Sequence, residues 1–268
     1  QDLVAQLNEH RTTILATYPT VALMLAEHAR AGTLRLALKE IWTGGEGLTA
    51  AMRGHISRCF GCPVSQSYGA SEFFTIASEC RCGGLHVNSD WVVLESVDEH
   101  HGAVPIGSAG STTLLTNLAN HVQPLIRYDL GDRVTFQALP CPCGSALPVI
   151  EVQGRIDDTL VLLDAHGRAV PLLPLAVTTV LEDEAAVFDF QLRHTEKNVL
   201  LLRIGAGGSA GAESLKRAQT ALKRFLGTQG LAHVTVRARC GAQGLRARSG
   251  KVQRVVGLDP SLSGRSPR

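Results

Sequence analysis

The sequence predicts an α/β fold that gives way to a β-rich segment and then to a small α+β module. Three observations carry this. Residues 38–69 run strand, glycine loop, helix, strand, loop. From about 85 to 150, short β-branched segments follow one another without helical periodicity, and from about 155 strands and helices mix again. With 268 residues, 44% hydrophobic and 19% charged, the chain can bury a sizeable core without a disulfide or metal. Lys+Arg number 26 and Asp+Glu 24, so a net charge of +2 predicts no strong attraction to nucleic acid or anionic membrane. No apolar run approaches about 18 residues, and the N-terminus lacks the apolar stretch of a signal peptide, so a cytoplasmic protein is expected.

Residues 14–31 read as a helix interrupted by Pro19 and stopped by Gly32. LKEIW (38–42) reads as a strand ending in Gly44-Gly45-Glu46, and Thr49 as the cap of a helix over AAMRGHISRCF. CPVSQSYG (62–69) reads as a strand entering a loop. Such a pattern places its binding crevice at the carboxyl ends of the strands. Segments 91–97, 111–116, 125–130 and 133–139 read as strands of a sheet or small barrel. Beyond them, TLVLLDAHGRAV predicts a hairpin turning at His166-Gly167, LPLAVTTVLEDE a helix, VFDFQLRH and VLLLRIGA a second hairpin, 213–227 an amphipathic helix, and VTVRAR a last strand. The expected domains are 1–154 (α/β over 1–84, β-rich over 85–154) and 155–260, with 261–268 a disordered tail.

The seven cysteines are unevenly spaced. SECRCGGLH and PCPCGS each place soft ligands in turn-forming sequence. Cys80, His86, Cys141 and Cys143 would complete a tetrahedral zinc site, with Cys82 the substitute for Cys80 or His86. Four such ligands leave no open position for water, which argues against a zinc hydrolase. Cys59 and Cys62 read as packing cysteines, and Cys240 as structural.

Five short segments carry chemistry: TGGE (43–46), YGASE (68–72), IRYDLGD (126–132), GRIDD (154–158) and SGKVQR (249–254). In that order they resemble the adenylate-forming superfamily of acyl-CoA synthetases, adenylation domains and luciferases. The cysteine loops look most like its phenylacetate–CoA ligase-like branch. The resemblance implies that a carboxylate attacks the α-phosphate of ATP to give an acyl-adenylate, which a thiol, coenzyme A or a carrier-protein thiol, then captures. It implies the C-terminal part of a large domain followed by a lid domain. Gly44, Gly45 and Glu46 would border the adenine, where the absence of side chains lets backbone approach a flat base. Tyr68, with Gly69 and Ala70, would offer a stacking face, and Ser71 a hydroxyl to phosphate. Glu72 would hold Mg²⁺ on the phosphates. Asp132 would grip the ribose, with Asp129 as competitor and Arg127 as that residue's expected salt-bridge partner. Arg155 would meet ribose or phosphate oxygen, Asp157 would be the hinge, and Lys251 would stabilise charge at the α-phosphate.

A Ser/Thr/Gly-rich phosphate loop is expected upstream of the adenine motif, and nothing before Thr43 resembles it. SAGSTT (108–113) has the composition but not the place. With a first residue of Gln, the chain reads as the C-terminal part of such an enzyme, impaired alone and partnered by a missing N-terminal half. The alternative is a non-catalytic, zinc-stabilised nucleotide-binding or interaction module derived from that fold.

Overall fold

The structure is a computed structural model that describes residues 2–10, 12–155, 159–205, 208–241 and 253–257. It divides into two compact units, 1–156 and 157–268.

The first unit opens with helix α1 (Asp2–His10). A parallel three-strand core follows: β1 (Ile14–Thr17), helix α2 (Pro19–Arg30), β2 (Glu40–Gly44), helix α3 (Ala50–Phe60) and β3 (Val64–Tyr68). The single helix expected over 14–31 is therefore a strand and a helix. Ile14–Thr17 pairs with Glu40–Thr43, and that partner is remote in sequence, so local periodicity could not show it. Pro19 begins α2 rather than interrupting it, at a position where no amide is needed. Thr49 caps α3 as expected, its hydroxyl accepting from the Met52 amide at 3.1 Å. Helices α2 and α3 pack together on one sheet face, where Leu15, Ile41 and Val64 are buried. The opposite face presents Ile14, Ala16 and Trp42 to solvent.

The sheet continues antiparallel through β4 (Ala77–Glu79), β5 (Leu85–Val87), β9 (Asp132–Phe136) and β10 (Val149–Arg155), in the spatial order β1-β2-β3-β4-β5-β10-β9. A second sheet holds β6 (Val92–Val97), β7 (Thr112–Asn117) and β8 (Tyr128–Asp129). The strand expected over 125–130 shrinks to those last two residues. The two sheets share a core of Ile76, Val87, Val92, Leu94, Leu115, Val134 and Ile150.

The second unit has the hairpin β11 (Leu160–Leu163) and β12 (Ala169–Leu172), helix α4 (Pro174–Thr179) running into a π-helical stretch Val180–Glu184, and the hairpin β13 (Phe190–Glu196) and β14 (Val199–Ile204). Helix α5 (Gly208–Thr228), β15 (Thr235–Cys240) and β16 (Val255–Val256) complete it. Its four-stranded sheet has the order β15-β14-β13-β16, with both outer pairings parallel. Leu162, Leu181, Leu192, Leu200, Leu202 and Leu222 form its core. Within it Glu182, fully buried, pairs with Arg254 at 2.5 Å, and the guanidinium also donates to Phe188 O at 2.8 Å. Cys240, expected to be structural, is exposed because β15 ends at the sheet edge, whereas Cys62 is buried as expected. The tail 261–268 lies outside the described residues, and no described helix is long and apolar enough to cross a membrane.

Candidate functional site

The loops at the carboxyl ends of β2 and β3 are shaped by glycines with no room for a side chain. A Cβ on Gly44 would lie 2.8 Å from Ser67 Oγ, and one on Gly69 would lie 1.8 Å from Phe74 O. Gly45 adopts a φ of 76°, which favours glycine. Glu46 does not project freely from this turn. Its carboxylate accepts the Thr20 amide at 3.2 Å and hydroxyl at 2.7 Å, tying the turn to the first residues of α2. The loop after β3 closes on itself through Ala70 N to Phe73 O at 3.0 Å and Phe73 N to Ala70 O at 3.2 Å. Ser71 stands exposed at its tip, beside half-buried Glu72.

Five side chains gather around this loop. The Tyr68 hydroxyl donates to Asp132 Oδ2 at 2.7 Å. Arg155 Nη1 stands 3.7 Å from Asp132 Oδ1, placed by the cross-strand pairing of Arg155 with Asp132. The Tyr128 hydroxyl donates to Glu72 Oε1 at 2.9 Å. Burial first, then the Asp132 charge and hydrogen bond, hold the Tyr68 phenol far above its ordinary range, and the Glu72 charge adds to this. The Tyr128 phenol is raised mainly by its bond to Glu72, with Arg155 pulling the other way. Glu72, Asp132 and Arg155 thus share one electrostatic neighbourhood.

The two aspartates differ in their hydrogen bonding. Asp129 Oδ1 accepts the Gly131 amide at 2.8 Å and the Thr112 hydroxyl, which occupies it in the turn. Arg127, the expected partner of Asp129, instead meets Glu95 at 3.2 Å. Asp132 begins β9, with its side chain 13% exposed. Tyr68 was expected to offer a ring face; its hydroxyl carries a role that reading omitted. Tyr128 was missed as a Glu72 partner, although it stands inside the IRYDLGD motif. SAGSTT serves packing: Gly110 has no room for a Cβ beside Ser96 and Val97, and its carbonyl accepts Arg133 Nε at 3.1 Å. Asp157 and Lys251 lie outside the described residues.

The four expected zinc ligands come together. One ligand atom from each of Cys80, His86, Cys141 and Cys143 lies within 4.8 Å of all the others. Cys80 Sγ is 3.6 Å from Cys141 Sγ, and Cys143 Sγ is 3.3 Å from His86 Nε2. The edges of a tetrahedron with bonds of about 2.3 Å are of this size. His86 Nδ1 bonds Leu147 O at 2.9 Å, leaving Nε2 turned to the cluster. Gly84 lets the chain pass close to the cluster, since a Cβ there would crowd Cys141 Sγ at 3.0 Å. Burial pushes the Cys80 thiol up, but the amides of Cys82 and Gly84, the Cys141 thiol and His86 outweigh it and lower it to about 6. At Cys141 the Cys143 amide pulls down, while burial and the neighbouring thiols push it up to about 11. Cys82 is exposed and outside the four. The donor set and spacing fit a closed zinc site.

Residues 1–112, somewhat under half of the chain, match the family model described as AMP-binding enzyme. Protein CapK of Staphylococcus aureus is 29% identical over 136 residues, covering 50% of this chain and 29% of that relative. A 2-hydroxyisobutyryl-CoA ligase in its postadenylation state, in complex with an acyl-AMP, superposes with a TM-score of 0.75 at 24% identity, over 97% of this chain and 57% of the ligase. A benzoate CoA ligase from Burkholderia xenovorans gives a TM-score of 0.64 at 19% identity, over 94% and 52%. The family-model match and the shared mixed α/β fold show the resemblance to the adenylate-forming superfamily. The chain spans less than a third of the curated relative's length and little more than half of the ligase's.

Proposed function

We propose that the chain is the C-terminal portion of an ATP-dependent, acyl-adenylate-forming ligase of the phenylacetate–CoA ligase-like branch. The observation that carries this is the grouping of Tyr68 and Glu72, inside the AMP-binding match, with Asp132 and Arg155 at the carboxyl end of a parallel strand. Asp132, oriented by Tyr68 and Arg155, offers two carboxylate oxygens to the ribose diol. Gly44, Gly45, Gly69 and Ala70 let backbone lie against the adenine, Glu46 braces the turn, and Ser71 meets a phosphate oxygen. Tyr128 steadies Glu72. Glu72 Oε2 has no protein partner among the described residues and suits Mg²⁺, which supplies charge neutralisation on the ATP phosphates when bound. The second unit is the lid, Asp157 its hinge, and Lys251 the cation for the α-phosphate. The carboxylic acid and ATP are the substrates and coenzyme A, or a carrier-protein thiol, the acceptor.

Cys80, His86, Cys141 and Cys143 hold a structural zinc that clips the β4–β5 hairpin to the segment entering β10. The uncovered face of the parallel sheet, with Ile14 and Trp42, favours an N-terminal half as partner, because parallel sheets are ordinarily covered on both faces. Adenylation by the isolated chain is therefore expected to be weak, and supplying that half is expected to restore it.

ATP–pyrophosphate exchange across a panel of aryl and alkyl acids tests the reading, together with AMP binding to Asp132→Asn. Binding of AMP that depends on Asp132 supports it. AMP affinity that is absent, or indifferent to Asp132, sinks it in favour of a zinc-stabilised interaction module.

A further inference from the structure

The two cysteine turns of the first unit are built alike. Each reads Cys-x-Cys-Gly, over Cys80–Gly83 and over Cys141–Gly144. In each the glycine amide donates back to the carbonyl of the first cysteine, Gly83 N to Cys80 O at 2.9 Å and Gly144 N to Cys141 O at 3.1 Å. Both glycines have φ above 80°, a conformation that favours glycine. Cys80 and Cys141 therefore hold equivalent places in two matching turns. Their sulfurs face one another at 3.6 Å.

The second cysteines of the two turns differ. Cys82 is exposed to solvent. Cys143 Sγ accepts the Ser145 amide at 3.4 Å and meets His86 Nε2 at 3.3 Å, so it is engaged inside the cluster. Cys80, Cys141 and Cys143 are only half-buried, which leaves the cluster open to a small molecule. A disulfide has its sulfurs about 2.05 Å apart, so Cys80 and Cys141 need to close by only about 1.5 Å, shared between two side chains. That bond would join segments 61 residues apart, the same two that a metal ion in the cluster clips together. A bond within either turn would span one residue of a backbone already fixed by hydrogen bonding and would constrain little more of the chain.

We propose that Cys80 and Cys141 are a site of oxidative modification, a thiol pair that hydrogen peroxide closes to a disulfide, exchanging a metal clip for a covalent one. Only the displaced metal rests on the zinc reading above. Written for the thiols, the peroxide O–O bond breaks, one oxygen joins a sulfur of the pair as a sulfenic acid, and the other leaves as water. The second sulfur then attacks the first. The S–S bond forms, the S–O bond breaks, and the hydroxyl leaves as water with the second thiol's proton. Two thiols and one peroxide thus give a disulfide and two waters, and the sulfurs surrender two electrons to the peroxide. His86 and Cys143 alone are too few to hold zinc in a closed site, so the ion is released.

Titration of the zinc-loaded full chain with hydrogen peroxide tests the proposal, with disulfides mapped by mass spectrometry of non-reduced peptides and free zinc read with a chromogenic chelator. A Cys80–Cys141 bridge is expected, with one zinc released per bridge, and dithiothreitol plus zinc is expected to reverse both. Cys82→Ser, which spares the four cluster residues, is expected to leave both readouts unchanged. The bridged chain is expected to unfold at higher urea than the reduced, zinc-stripped chain, because the bond closes a long loop in the unfolded state. Cys80→Ala is expected to lose that gain, and the peptide map of the unaltered chain decides the matter if this variant folds poorly. Peroxide that oxidises exposed Cys82 and Cys240 while Cys80 and Cys141 stay unbridged overturns the proposal. So does a bridge within one turn, Cys80–Cys82 or Cys141–Cys143, in place of the expected one. A Cys80–Cys141 bridge in a chain that never bound zinc would keep the thiol pair and remove the zinc reading. Zinc that stays bound, with no bridge, at peroxide levels that oxidise Cys82 would do the reverse.

Discussion

The two units solve the problem of a mixed sheet differently. Of the fifteen large hydrophobic residues described as exposed, only Val161 falls in 157–268. The others, among them Trp42, Phe74, Ile106 and Val122, lie in the first unit. The second unit packs helices on one sheet face, and on the other face Leu201, only 7% exposed, stands in a row between Arg193 and Arg237. The first unit covers one face of its parallel strands with α2 and α3 and leaves the other apolar and open. Its antiparallel half is held by cross-strand pairing, and the Cys/His cluster lies beside it. Among the described residues one unit leaves a single large apolar side chain exposed, while the other carries the candidate nucleotide site and the open apolar face.

Removing the cluster should separate the units most sharply. Chelation, or the Cys141→Ser/Cys143→Ser variant, should abolish the zinc measured by metal analysis. It should also unfold the first unit at much lower urea, leaving the second unit's transition in place, because structural zinc can supply about 10 kcal/mol of folding free energy. A single transition that ignores chelator would show that the cluster does not brace this unit.

The reverse break is Glu182→Ala, which strands the Arg254 guanidinium inside the second unit and should cost about 3–5 kcal/mol. Urea unfolding followed by amide exchange should place the loss in 160–257 and spare the first unit. A smaller effect belongs to Tyr68→Phe, which removes the hydroxyl that orients Asp132. Losing a bond to a charged group costs about 1.5–3 kcal/mol of stability, so the first unit's urea midpoint should fall, and AMP affinity should fall with it because Asp132 loses the bond that orients it. Unchanged affinity would separate Tyr68 from ligand binding.

The smallest expected effect is a pH dependence confined to the second unit. Burial lowers the pKa of His194, so the folded unit holds this proton less tightly than the unfolded chain does. Stability contributed by the neutral imidazole is present above the unfolded value of about 6.5 and is lost as pH falls below it. The urea midpoint of the second unit should drop between pH 7.5 and 5.5, and His194→Leu should flatten that drop. A midpoint indifferent to both would refute the assignment.

Some of this was legible without a structure because it is local. Thr49 as a cap, the turn at His166-Gly167 and the helix over 213–227 follow from hydrogen bonding or periodicity within a few residues. The four cluster ligands were legible because thiols and an imidazole in turn sequences have few structural alternatives. Strand β1 was not, since Ile14–Thr17 extends only because Glu40–Thr43 lies beside it. Nor were β4 and β5, three residues each, or β10, whose partner β5 lies dozens of residues away.

The amino-acid sequence by itself determined which functional groups stand at each motif: a carboxylate after YGAS, a second after a glycine turn, and four Cys/His side chains of metal-ligating type. Only the tertiary structure decided which groups meet. It turned Asp129 into a turn residue and gave Asp132 to Tyr68 and Arg155, and it brought the Cys80 sulfur to that of Cys141. The physical reason is that side-chain identity is carried by single residues, whereas proximity is created by strand pairing and core packing between segments far apart in the chain.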